Sequence, residues 1–306
     1  MNLDRDTKGV QYNVSKRKEQ ARYNASGNKG FQSSDMHGDR VTRRVPGGWL
    51  LAACLAIGAL PAPGQKAPLR MREPKRESVA AFRVGEKLQY RISWASLMTA
   101  ATAELAVNAK PPFYGREAWH FRALAKTVDA ARLLYALDNQ FDSYTDTASL
   151  ASFRYEAYLQ EQGKKENNVT RMSGDGLPVQ NDGPVVRVQP GTRDPLGMLY
   201  YLRTVNWAEQ AQVKTQVFTG KRLFEIHASV TQRGTVTVPA GEYTATQVEL
   251  RVFERKKELP QVRMWIWFSN DESHAPALME AEMPFGKLRI ELVRASVASS
   301  AKQATD

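Results

Sequence analysis

The chain predicts a mainly β protein, with a single antiparallel sheet curled into a barrel or half-barrel and one or two short helices packed on it. Three observations lead there. From Phe82 onward apolar residues return at every second position, the period of a half-buried strand. Short clusters of Gly, Pro, Asn and Asp punctuate these segments, and only two stretches favour a helix. A long antiparallel sheet with one apolar face hides its edges by curling on itself.

The elements follow in order. Leu88, Tyr90 and Ile92 share one face of the first strand, and Lys87, Gln89, Arg91 and Ser93 the other. A second strand over about 102–107 pairs with it, and Pro111 and Pro112 then break the chain. Residues 117–126 alternate again, with Trp119, Phe121 and Ala123 inward and His120 and Arg122 outward. The first helix-like piece is 128–137, where Val128, Leu133, Leu134 and Leu137 form a rough stripe. Strands come next at about 140–144, 152–160 and 165–172, with Gly163 and Lys164 at the turn between the last two. The Gly-, Asp-, Asn- and Pro-bearing stretch 173–183 is a loop.

Asp194 and Pro195 open the second helix, 194–204. The Asp carboxylate caps free amides, and Pro has a preset φ and no N–H to leave unpaired. Leu196, Leu199, Tyr200 and Leu202 make this helix apolar, so it is expected against or across the concave face. A meander completes the domain, with strands near 211–218, 223–231, 235–238, 243–254, 261–269, 277–283 and 288–293. Pro239-Ala240-Gly241 and Pro284-Phe285-Gly286 supply tight turns. The second turn sets Glu280 and Glu282 opposite a strand bearing Lys287 and Arg289, so cross-strand ion pairs are expected.

Upstream of the β domain the sequence reads as an export signal. Arg40, Arg43 and Arg44 precede the apolar run from Trp49 to Leu60, and Pro61-Ala62-Pro63-Gly64 follows it. Twelve apolar residues are too few for a membrane-spanning helix, which needs about 20. The expected organisation is a polar leader or over-extended start at 1–35 and a secretory signal at 36–64 initiated at Met36. A basic linker at 65–78, a single β-rich domain at 79–295 and a frayed tail at 296–306 complete it. Leu51-Ala52-Ala53-Cys54 matches a lipidation box, but its apolar run before Cys54 is short, so lipoprotein attachment is the lesser reading. Cleavage before Gln65 leaves no cysteine for a disulfide, and stability then rests on core packing. The net charge of +11 sits mostly in the leader and linker; residues 79–306 carry +3, which argues against a nucleic-acid partner.

Three stretches together resemble a bacterial family known as domain of unknown function 3108. The first runs from Phe82 to Tyr90 with Ser93 and Trp94, and the second from Asp194 to Arg203. The third joins Val238-Pro239-Ala240-Gly241-Glu242-Tyr243, Trp267-Phe268-Ser269 and the segment from Gly286 to Leu292. The resemblance covers about 80–294 and implies an exported, mostly β protein of envelope-bearing bacteria, with no catalytic residues to transfer. It also leads one to expect a glycine in the first hairpin turn, where Met98 to Thr102 stand instead.

For chemistry the sequence offers little that points to an enzyme. His120, His227 and His274 fall at no metal-ligand spacing, and no metal or cofactor is implied. The densest polar cluster, Asn270-Asp271-Glu272-Ser273-His274, reads first as a loop and only second as an acid/base pair on envelope polymers. The sharper signal is Met264-Trp265-Ile266-Trp267-Phe268, apolar on both faces. Met264, Ile266 and Phe268 belong to the core, so Trp265 and Trp267 need a helix over them or a cavity beside them. The site expected is an apolar pocket built from Trp265, Trp267, Leu199 and Tyr200, holding a lipid or similar envelope molecule in a periplasmic or secreted carrier. A glycan-binding module that stacks sugars on exposed rings is the alternative. Neither reading fixes an oligomeric state.

Overall fold

In a computed structural model of the chain, the described residues are 81–94, 98–113, 115–173, 185–283 and 286–297. The leader, signal, linker and most of the tail inferred above lie outside them, as do 174–183 of the expected loop. The period of two translates into strands throughout. The first half holds β1 (Glu86–Trp94), β2 (Met98–Ala109), β3 (Pro112–Phe113), β4 (Arg116–Thr127), β5 (Asp138–Asp146), β6 (Ser152–Glu161), β7 (Lys164–Ser173) and β8 (Val185–Arg187). The second half holds β9 (Gln212–Phe218), β10 (Leu223–Val238), β11 (Gly241–Glu254), β12 (Lys257–Ser269), β13 (Pro276–Met283) and β14 (Gly286–Val297). Helix α1 (Asp129–Leu134) joins β4 to β5, and α2 (Pro195–Arg203) precedes β9.

The strand order is β8-β7-β6-β5-β4-β2-β1-β14-β13-β12-β11-β10-β9, with β3 as a spur on β4. Each half is a meander of chain neighbours, and the ladder β1–β14 welds the halves together, from Glu86 opposite Val297 to Trp94 opposite Leu288. All ladders are antiparallel except β7–β8. Among the described residues the sheet does not close by a ladder, so the fold is a half-barrel whose outer edges are β8 and β9. At that seam the segment before α2 acts as a strap. Arg193 N–H donates to Gln216 O at 3.0 Å and Phe218 N–H to Arg193 O at 2.8 Å, while Ser152 N–H donates to Thr192 O at 3.0 Å. The strap satisfies backbone groups that an open edge would leave exposed.

The interior follows the alternation read from sequence. Leu88, Tyr90 and Ile92, then Trp119, Phe121 and Ala123, are buried on the concave face. Helix α2 crosses one end of the barrel with Leu196, Met198, Leu199, Tyr200 and Leu202 buried. Its start is fixed as the sequence suggests: Asp194 accepts from the amides of Leu196 and Gly197, both at 2.8 Å. Gly197 is needed for close approach, since a Cβ there would meet Ser152 Oγ at 2.9 Å and Thr145 Cγ2 at 3.0 Å.

Several expectations need revision. The helix at 128–137 shrinks to 129–134 and buries none of its residues; of the proposed stripe only Leu137 enters the core. Thr235 does not start a new strand, because β10 runs unbroken over 16 residues, accommodating a register shift between Val230 and Gln232. β12 begins at Lys257 rather than at 261, after a two-residue turn in which Arg255 and Lys256 take φ of 49° and 67°. Pro260 is tolerated there because the ladder skips from Glu258 to Arg263 opposite Phe253 and Arg251, so no amide is missed. Residues 98–102 are strand rather than turn, so the first hairpin turn falls at 95–97, outside the described residues, and Ser296 and Val297 pair with Lys87 and Glu86 rather than fraying. The ion pairs expected around the last hairpin form: Lys287–Glu282 at 2.9 Å and Arg289–Glu280 at 2.8 Å.

Candidate functional site

The concave face and α2 line a partly open apolar pocket of about 90 Å³. Strands of the first half bring Leu105, Ala123, Phe141 and Tyr155 to it; α2 brings Met198 and Leu199; the second half brings Leu250, Met264, Met279 and Ile290. Inward positions of eight strands converge because the sheet curls, and α2 supplies the remaining wall. Almost the whole lining is carbon and sulfur, so the site offers no catalytic constellation and suits an apolar guest. Met198, Met264 and Met279 are unbranched and re-pack at little cost, which lets such a wall adapt.

Of the residues singled out in sequence, Leu199 and Trp265 belong to this lining. Tyr200 sits behind it, fully buried and stacked on Phe121 with ring centroids 3.7 Å apart. Trp267 is buried in the core and lies outside the lining. Trp265 is half-buried, with the Arg263 guanidinium 5.2 Å from its ring centre. The methionines and Phe141 were missed because single inward positions on separate strands look like ordinary core until the curl brings them together.

Two buried polar assemblies hold α2 against this cavity. At its start, Asp194 accepts from Ser143 Oγ and Ser152 Oγ, each at 2.5 Å, besides the two amides. Burial raises its carboxyl above the usual range despite those four donors. The neighbouring Arg193 reaches across the seam, donating to Ser149 O and Gly191 O at 2.7 Å and to Thr215 Oγ1 at 2.9 Å, with its guanidinium 3.5 Å from the centre of the Tyr201 ring. At the helix end Arg203 makes a bidentate pair with Glu86, at 2.6 and 3.0 Å, and donates to Ser273 O at 2.8 Å. The pair ties α2 to the first residue of β1, and the Ser273 bond ties it to the loop before β13.

The polar cluster at 270–274 belongs to the same lock. His274 Nδ1 lies 2.7 Å from Arg203 O, in position to donate to it. Asp271 accepts from Ser273 Oγ at 2.6 Å and Ser269 Oγ at 3.0 Å; burial pushes its carboxyl up, and these donors more than reverse that and leave it lowered. His120 pairs with Asp142 at 2.6 Å on the convex face, and Glu156 is held by Arg154 and Tyr158. Among the described residues no three His, Cys, Asp or Glu side chains are placed to hold a metal ion.

The fold and cavity define a curled antiparallel β protein with an apolar interior and a plugging helix. Residues 89–293 match the model of the family described as "Protein of unknown function (DUF3108)", and the chain belongs to it. No curated protein matches the sequence. Among solved structures it is similar to a β-barrel-like protein of domain of unknown function 1849 from Brucella abortus, at 14% identity and a TM-score of 0.47, covering 71% of this chain and 99% of that one. It is also similar to an exported-protein candidate from Bacteroides fragilis, at 12% identity and TM-score 0.30 over 70% and 96% of the two chains. A lipoprotein candidate from Parabacteroides distasonis aligns at 8% identity and TM-score 0.34 over 72% and 100%.

Proposed function

We propose that this is an exported binding or carrier protein whose barrel interior takes an apolar or amphipathic molecule of the bacterial envelope. The observation that carries the reading is the apolar pocket between the two half-sheets and α2, lined by Leu199, Met264, Met279 and Phe141; at about 90 Å³ it admits a short apolar portion of such a molecule rather than the whole of it. Export is the reading of the basic-apolar-small sequence at 40–64. The burial of Trp267 and the half-burial of Trp265 favour an enclosed guest over a sugar stacked on an exposed ring.

Native mass spectrometry of the chain purified from an exporting host, followed by organic extraction, tests this. A reproducible added mass that extracts as lipid is expected. Ala281→Phe, which fills the cavity from β13, should remove that mass while leaving the circular dichroism of the sheet intact. An apo mass that stays clean after incubation with an envelope lipid extract would overturn the proposal.

A further inference from the structure

We propose that the end of the barrel carrying α1 docks on an anionic lipid surface, with Leu133 and Leu134 entering the headgroup–acyl boundary. These two side chains are 89% and 78% exposed. They stand side by side on a helix that buries none of its residues and has no side-chain N-cap. Core formation therefore does not explain α1. The helix is nevertheless held firmly by its other side. Arg132 pairs with Asp138 at 2.6 Å, and Tyr135 Oη donates to Glu161 at 2.9 Å. Gln162 of the neighbouring turn donates to Leu134 O at 2.9 Å and Ala136 O at 2.8 Å. These bonds fix the two leucines outward, where adjacent apolar side chains on a soluble face mark an interaction site.

The rest of this rim says what the partner is. The antiparallel register places the turns β6–β7, β9–β10 and β11–β12 at the same end as α1, along with the end of β1 and the start of β14. The rim carries Lys126, Lys164, Lys165, Arg255, Lys256 and Lys257, all exposed and none in an ion pair with a described residue. Most of its carboxylates are spent: Asp138, Glu166, Glu254 and Glu282 are taken by Arg132, Lys221, Arg222 and Lys287, which leaves the exposed Asp129 and the half-buried Glu161, held by the neutral Tyr135 and Asn139, against six cations. Trp94, 46% exposed, adds a ring of the kind enriched at membrane interfaces. Two leucines ringed by unpaired cations are complementary to acidic headgroups above apolar tails. The opposite end, with exposed Arg83, Lys110, Glu117, Glu242, Asp271 and Glu272, is mixed in sign. Docking does not require the cavity to hold a guest. The two fit together, since Ala123, Leu250 and Ile290 of the lining each lie four residues from the docking rim, roughly 13 Å along a strand.

The test uses the full chain with Cys54→Ser and a single new cysteine, Leu134→Cys at the rim or Glu242→Cys at the opposite end, carrying a polarity-sensitive fluorophore. With phosphatidylcholine vesicles containing about a third phosphatidylglycerol at low salt, the rim label should shift to the blue and the other should not. In co-sedimentation without the label, Leu133→Ser with Leu134→Ser should lower binding about tenfold or more. Lys256→Glu with Lys257→Glu should weaken binding and flatten its salt dependence. An unshifted rim label, equal shifts at both ends, or binding indifferent to the leucine pair would overturn the proposal and leave the leucines to a protein partner. Those outcomes are separate from the mass of any cavity guest.

Discussion

The two helices sit at opposite ends of one sheet and are built on opposite terms. α2 is nine residues long, capped by Asp194, and buries most of its side chains. α1 is six residues long, uncapped by any side chain, and buries none. The sheet makes both possible, because its antiparallel hairpins gather connections at two rims and curl leaves one rim to be plugged. A helix that fills a barrel end must satisfy its terminal amides and carbonyls away from water, which explains the serines, the buried Asp194 and the Arg203–Glu86 pair. A helix on the open rim meets water and needs none of that apparatus. Stability is therefore concentrated at one end and surface chemistry at the other.

That contrast can be broken most directly at Arg203. Arg203→Ala leaves Glu86 buried without its cation, and a loss of about 3–5 kcal/mol in urea unfolding is expected. A loss below about 1 kcal/mol would mean that the plug is not held by this pair. Asp194→Ala removes the cap and orphans two buried hydroxyls, so about 1–3 kcal/mol should be lost.

Asp194 also sharpens the comparison through pH. Its carboxyl is raised in the folded state, so the native protein binds that proton more tightly than the unfolded chain does. Its contribution is greatest below the ordinary carboxylate value of about 3.9 and is lost as pH rises through the raised native value. The stability of the wild type minus that of Asp194→Asn should accordingly fall as pH rises from the acid side toward neutrality. A difference that grows with pH would show the carboxylate held in its charged form instead. The smallest effect belongs to the other rim, where Leu133→Ser with Leu134→Ser should move the urea midpoint by the equivalent of less than about 0.5 kcal/mol.

Much of this architecture was legible in the sequence because it is local. The faces of β1 and β4, the Asp194–Pro195 helix start and the charge pairs of the last hairpin follow from periodicity and turn geometry within a few residues. The Arg203–Glu86 pair spans 117 residues, and nothing local to either residue announces it. The cavity is equally non-local, since Phe141, Met198 and Met264 meet only after the sheet curls. Leu133 and Leu134 misled for a different reason. Apolar spacing is the same for a stripe that packs on a core and for one left facing outward, and only the shortness of α1 distinguishes them.

The weld between β1 and β14 bears on the order of assembly. Every other neighbouring pair on the strand path joins segments close in the chain, so both meanders can form with short loops to close. Glu86 and Val297, by contrast, come together across nearly the whole domain. The entropy of closing a long loop is thus gathered into one event rather than spread over many ladders, and folding speed should hinge on how early that single ladder forms.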